Sequence, residues 1–282
     1  GNRQGRRVRL KRRGPALMST AMKLRYLFLW LVAGFLSGAA GAADKPNVVI
    51  IFLDDAGYAD FHPFGDPPYP TPNVESLAEQ GVQLTQFYVP TAVCSSSRSS
   101  LLSGCYAGRH GVFGAHGPGG RGLDPKFTTI AEMLKAEGYA TAHFGKWHMG
   151  DRPETRPTAR GFDRSSGLMI SNDMWRFNPV WAARVGKAPL PYWEDGEIVI
   201  PDVTPDDQKY LTRWATDDAT RFIRKNKDKP FFLYVAHSMP HVPLYCSEDF
   251  LGMSGAGLYG DVMMEIDWSV GRVTEALRKA GV

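Results

Sequence analysis

Val48-Val49-Ile50-Ile51-Phe52-Leu53 is apolar at every position and largely β-branched, with no polar residue breaking the run. Such a stretch fits a strand covered on both faces, as in a parallel sheet between two layers of helices. Phe231-Phe232-Leu233-Tyr234-Val235-Ala236 repeats the pattern after a Lys229-Pro230 break, and Tyr139 to Phe144 is a third candidate. Val82 to Val89 alternates imperfectly and reads as a further strand. Helical spacing accounts for much of the remainder. Thr71-Pro72-Asn73 starts a helix that Gly81 ends, and Thr128 caps one running to Gly138. Pro205 to Arg224 places Leu211, Trp214, Ala215, Ala219, Phe222 and Ile223 on one face, and Gly257 to Lys279 turns Met263, Ile266, Val270, Val273 and Leu277 inward before Gly281. The expected fold is α/β, a large, mainly parallel (mixed) sheet with helices on both faces.

Reactive residues follow the strands, where an open α/β sheet binds its ligands. Asp54 and Asp55 end the first strand; adjacent carboxylates there repel and lose hydration, so they need a cation or strong donors, unless they simply cap a turn. Gly145-Lys146-Trp147-His148-Met149-Gly150 follows the Tyr139 to Phe144 strand, and its Lys and His can aim donors at one anion or simply face solvent. His237 and His241 flank a Pro-rich turn, where a histidine can orient a leaving group or donate a proton, or be no more than part of the turn. The small-residue run Thr91 to Gly104 reads as a loop entering a short helix near Ser95. Cys94 then lies at the helix N-terminus, where unpaired N–H groups favour an oxyanion, a sulfate or a phosphate. A serine-rich loop with an incidental cysteine is the competing view of that segment.

The chain has 282 residues, 43% hydrophobic and 22% charged, which suits one large domain or two small ones with a sizeable core and argues against disorder. Its net charge of +4 is carried by the first 42 residues, which hold nine basic residues and no acid; the rest has 24 Lys+Arg against 29 Asp+Glu. No aromatic residue is interleaved with the basic residues of segment 1–21, which therefore does not read as a nucleic-acid arm. Residues 22–42 have the layout of a secretory signal: Lys23 and Arg25, an apolar stretch from Tyr26 to Phe35, and Ala40-Gly41-Ala42 as a cleavage site. A membrane anchor is the alternative, but the apolar stretch barely reaches spanning length. The remaining domain is residues 43–282, in an exported, periplasmic or secreted protein. Of three cysteines, Cys105 and Cys246 either pair or stay as thiols, and no Cys/His spacing fits a zinc site.

Cys94-Ser95-Ser96-Ser97-Arg98, continued by Ser103-Gly104, resembles the signature of the type I sulfatases, whose Cys-x-Pro-x-Arg core is oxidised to formylglycine; Ser96 stands where that core has Pro. Pro46-Asn47, the strand and Asp54-Asp55-x-Gly57-Tyr58 resemble the family's opening. Arg109-His110-Gly111, Gly145-Lys146-Trp147-His148-x-Gly150 and His237-x-x-Pro240-His241-x-Pro243 are similar to its later elements. Gly161-Phe162-Asp163 and Ser171-Asn172-Asp173-Met174 resemble the arylsulfatase A-like subgroup. The resemblance covers Pro46 to Val282 and implies an alkaline-phosphatase-like fold and hydrolysis of sulfate monoesters.

By that resemblance Cys94 becomes formylglycine (3-oxoalanine) through a formylglycine-generating or sulfatase-maturing enzyme, and Asp54, Asp55 and residue 94 ligate one calcium ion. Arg98 steadies the oxygen on residue 94, Lys146 holds the sulfate, and His148 acts as the base that releases it. His241 assists the departing alcohol and His237 stands behind it. Complete members continue past the point matching Val282 with a strand, an Asp-Asn pair that adds metal ligands, a further Lys and a smaller domain. The chain is therefore expected to be an incomplete catalytic region. Residues 151–204 show little periodicity and read as loops at the mouth of the site, where Trp175 and Trp193 either stack on substrate or pack. Aryl, carbohydrate and lipid sulfates all remain open as substrates. A phosphate or phosphonate monoester hydrolase of the same superfamily and an inactive homologue that only binds sulfated ligands are the competing functions.

Overall fold

The computed structural model describes residues 45–185 and 188–282; the basic segment 1–21 and the expected signal segment 22–42 lie outside the described residues. From Pro46 the chain forms β1 (Val48–Phe52), α1 (Pro72–Gln80), α2 (Cys94–Ser103), α3 (Ala107–His110), α4 (Ile130–Ala136), β2 (Ala140–Lys146) and β3 (Arg164–Leu168). It continues through α5 (Pro179–Val185), β4 (Tyr192–Glu194), β5 (Glu197–Ile200), α6 (Pro205–Gln208), α7 (Leu211–Asn226), β6 (Phe231–Ala236) and α8 (Gly257–Ala280).

The six strands make one sheet in the order β1-β6-β2-β3-β4-β5. β1, β6, β2 and β3 pair in parallel, and β4 and β5 add antiparallel strands at one edge. Alternation along β6 splits its side chains between two cores. Phe231, Leu233 and Val235 face Ala215, Ala219, Phe222 and Ile223 of α7 and Val273 of α8. Phe232, Tyr234 and Ala236 face Leu102 of α2, Ala131 of α4 and the rings of Trp147 and Phe162. Each large apolar side chain buried this way contributes roughly 1.5–3 kcal/mol, which is why a continuously apolar strand occupies the centre of the sheet. The parallel direction brings the C-terminal ends of β1, β6 and β2 together, and with them Asp54, His237 and Lys146.

Four expectations change in detail. Val82 to Val89 forms no strand: Val82, Leu84, Phe87, Tyr88 and Val89 are exposed and the segment joins no sheet among the described residues, so its β propensity goes unused. Residues 151–204 are not all loop, because they hold β3, β4 and β5. β3 reads Arg-Ser-Ser-Gly-Leu and carries no apolar run; it forms because β2 offers a ladder, and a Cβ at Gly167 would lie 1.8 Å from the Gly145 carbonyl oxygen. The helix expected over Pro205 to Arg224 is two, α6 and α7, with Lys209 and Tyr210 between them. The cap of α4 is Thr129 rather than Thr128: its Oγ1 accepts from Glu132 N while Glu132 returns the bond to Thr129 N, a capping box.

Trp175 is buried against Leu168, Leu190 and Tyr192, and Trp193 lies under the Arg156 guanidinium at 4.3 Å. Both pack against protein. Cys94, Cys105 and Cys246 are all free thiols.

Candidate active site

Helix α2 begins at Cys94 and ends at Gly104, whose φ of 64° is the left-handed stop expected there. Three of its buried serines, Ser95, Ser96 and Ser100, tie down the loop that follows. Ser96 Oγ donates to Val112 O at 2.6 Å, and Ser95 Oγ accepts from His116 N at 3.0 Å. Val112 N donates to His110 Nδ1, so His110 Nε2 carries the proton and donates to Ser100 Oγ at 2.9 Å. The first turn of α2 is thereby clamped with residue 94 at its open end.

One turn on, Arg98 is fully buried. Its Nη1 donates to Lys146 O at 2.8 Å and reaches Tyr234 Oη at 3.4 Å, its Nη2 lies 3.4 Å from Asp54 Oδ1, and the Phe52 ring lies 5.2 Å beneath. Nε and Nη2 make no hydrogen bond. Lys146 closes β2 and is equally buried; its Nζ binds Asp54 Oδ2 and donates to Ser171 Oγ at 2.8 Å. Burial alone would push the Asp54 carboxyl up, but Arg98 and Lys146 outweigh it and hold the group at about 2. Cys94 responds in the opposite sense. Burial pushes its thiol up and Asp54 adds to this, with Lys146 and Arg98 only partly offsetting it, so Cys94 is a neutral thiol and a weak nucleophile as it stands.

His148 occupies the left-handed region at φ 54°, which turns its ring back beneath residue 116. Nε2 donates to His116 O at 2.8 Å, leaving Nδ1 buried and unpartnered. Burial, with Lys146 and Arg98 nearby, keeps this imidazole well below its usual range and neutral. His241 stands at the front: Nδ1 donates to Val242 O at 2.5 Å and Nε2 lies 3.6 Å from Asp55 Oδ2. Both nitrogens face oxygen atoms. His237 is turned elsewhere, sharing a 3.0 Å hydrogen bond between Nε2 and Ser269 Oγ on α8. The structure thus brings Asp54, Cys94, Arg98, Lys146 and His148 together, sets Asp55 and His241 before them, and directs His237 into the helix layer.

The calcium expectation meets a short donor set. Asp54 is shared between two cations, Asp55 is largely exposed, and no group of three or more His, Cys, Asp or Glu is gathered for a metal among the described residues. Calcium takes six to eight oxygens. Asp54, Asp55 and residue 94 do not by themselves make its site.

The sulfatase family model matches residues 46–282. The chain belongs to the sulfatase family. This sulfatase chain is 33% identical to N-acetylgalactosamine-6-sulfatase of Rattus norvegicus over 94% of its own length and 52% of that protein. It is 36% identical to arylsulfatase A of Homo sapiens over 92% of its length, again 52% of that protein. Among solved structures, the PsFucS1 sulfatase from Pseudoalteromonas sp. superposes with a TM-score of 0.76 at 26% identity, covering 89% of this chain and 55% of that one. Ps i-CgsB in complex with k-i-k-neocarrahexaose gives 0.73 at 29%, covering 84% and 56%. A phosphonate monoester hydrolase of Agrobacterium radiobacter, at 21% identity and 0.59, shares the fold. The chain spans about half the length of the curated relatives it matches.

Three contributors to this sulfatase site have no role assigned from the sequence, although Ser171 lies in the Ser171-Asn172-Asp173-Met174 motif. Ser171 takes the Lys146 ammonium, Tyr234 contacts Arg98 from mid-strand, and His116 supplies the carbonyl that fixes the His148 tautomer. Tyr234 looks like any core aromatic until the strand order places β6 beside both β1 and β2.

Proposed function

We propose that the protein hydrolyses sulfate monoesters, with residue 94 as the attacking group once Cys94 has been oxidised to formylglycine. The observation that carries this is the pair of buried cations beside residue 94, where Arg98 Nε and Nη2 make no hydrogen bond, Nη2 having only the 3.4 Å ion pair with Asp54, and the N-terminus of α2 is open. Two buried positive charges, only partly offset by Asp54, and unpaired N–H groups favour a tetrahedral oxyanion. A neutral Cys94 thiol suits a precursor better than a working thiolate. When formed, the hydrated aldehyde supplies an oxygen nucleophile and a second hydroxyl through which sulfate can be expelled. Arg98 donates to the oxygen on residue 94, and Lys146 neutralises charge on the transferring sulfuryl group. His241 gives a proton to the departing alcohol. His148 Nδ1, unprotonated and unpartnered, takes the proton that releases sulfate.

Nitrophenyl sulfate and nitrophenyl phosphate, assayed side by side on the protein expressed from its full reading frame, test the reaction class. Sulfate is expected to be preferred, and a preference for phosphate of about tenfold or more overturns the sulfatase reading. The peptide containing residue 94 is expected to weigh about 18 Da less than its cysteine form, the more completely when a maturing enzyme is co-expressed. The name of the rat relative makes an N-acetylgalactosamine 6-sulfate ester the first natural substrate class to try. Export is tested by the N-terminus of the mature protein, expected near Ala43.

A further inference from the structure

The structure assigns a positioning role to Asn172: it holds the loop that carries His241 and so sets the proton donor against the departing group. The geometry stands on its own; the chemical consequence rests on the sulfatase reading of His241. The loop leaves β6 with one anchor on β1, where His237 N donates to Phe52 O at 2.9 Å and Asp54 N to Met239 O at 3.4 Å. Its other anchor is Asn172, whose Nδ2 donates to Pro243 O at 3.2 Å and to Gln208 Oε1 at 3.2 Å. Between them the His241 side chain is held only by its neighbour's carbonyl and the exposed Asp55.

Asn172 is itself held. Gln208 Nε2 returns a 2.9 Å bond to Asn172 O, both residues are fully buried, and the capping box of Thr204 and Asp207 fixes the helix that carries Gln208. Two oxygens facing Nδ2 settle which way the amide points. Its Oδ1 is buried without a partner, a cost that an apolar side chain would avoid. What Asn supplies in return is two donors aimed at two separate segments. The preceding residue, Ser171, receives Lys146. Residues 171 and 172 therefore touch both the sulfate-holding cation and the leaving-group loop, and a shift in one is felt by the other.

Asn172→Asp keeps the shape and replaces the nitrogen that makes both donations by one oxygen facing two acceptor oxygens; Asn172→Ala carries the same expectation if the Asp variant does not fold. Two readouts follow. The ring-proton NMR signal of His241, identified by its loss in His241→Ala, is expected to move toward that of an unstructured histidine. An alkyl alcohol needs a proton as it leaves and nitrophenolate does not, so kcat/KM on an alkyl sulfate should fall about tenfold further than on nitrophenyl sulfate. The same split appears in His241→Ala, and combining the two changes adds nothing to it. An unmoved His241 signal, or equal losses on both esters, overturns the assignment. If the unaltered protein turns over neither ester, the sulfatase reading fails and the NMR signal alone decides Asn172.

Discussion

The back and the front of the site are built differently. Arg98, Lys146 and His148 are each 0% exposed and are set by a strand end, a helix turn and backbone carbonyls. In front, the Asp55 and His241 side chains are 63% and 16% exposed, and single side-chain bonds hold their surroundings. A group fixed by the sheet moves only if the sheet does, and losing it leaves an uncompensated buried charge. A group fixed by one amide can be retuned without disturbing the core. On the proposed function, the charge that would hold the sulfate lies in the rigid part, and the contacts that would meet the alcohol lie in the adjustable part.

The largest test of that contrast is Arg98→Ala, which leaves Asp54 buried with one cation and the Lys146 carbonyl without its donor. We expect a loss of about 3–5 kcal/mol in urea unfolding, and a loss under about 1 kcal/mol would break the comparison. Acid comes next. Burial holds His143 at about 3 and His237 at about 4, and pulls His148 down as well. As pH falls below 6.5 the unfolded chain binds these protons before the folded one does, so stability is full above 6.5 and declines toward 4. At pH 5 His143 and His237 each remove roughly 2 kcal/mol, and a denaturation midpoint unchanged between pH 7 and 5 would refute this. Asp55→Asn, at the front, should shift stability by less than about 1 kcal/mol in the same assay; a loss as large as that of Arg98→Ala would erase the front-to-back distinction. The smallest effect expected is that of calcium on this chain. With Asp54 already paired and the donors too few, millimolar calcium should move its Tm by less than about 1 °C, and a rise of several degrees would show a complete site.

The rigid half is also the half that sequence made legible. β1 and β6 announce themselves because burial on both faces demands apolar residues throughout, and Asp54, Lys146 and His148 follow from where strands end. β3 escaped because its residues are chosen by a neighbour's ladder rather than by their own propensity. Val82 to Val89 misled for the converse reason: β-prone residues make a strand only where a partner offers hydrogen bonds. Ser171 and Asn172 showed only as part of a subgroup motif, and Gln208 only as a helix residue, since a polar residue looks alike whether it faces water or a buried carbonyl.

Lys146 and Asp54 are 92 positions apart in the chain, Arg98 and Tyr234 are 136 apart, and Asn73 and Asp267 are 194 apart. A nascent polypeptide cannot seal Arg98 away from water until β6 has been made and threaded between β1 and β2. Until then the guanidinium stays hydrated and opposes premature collapse around it. Burial of that charge is therefore a property of the closed sheet, present only in a molecule whose β1, β2 and β6 ends have come together.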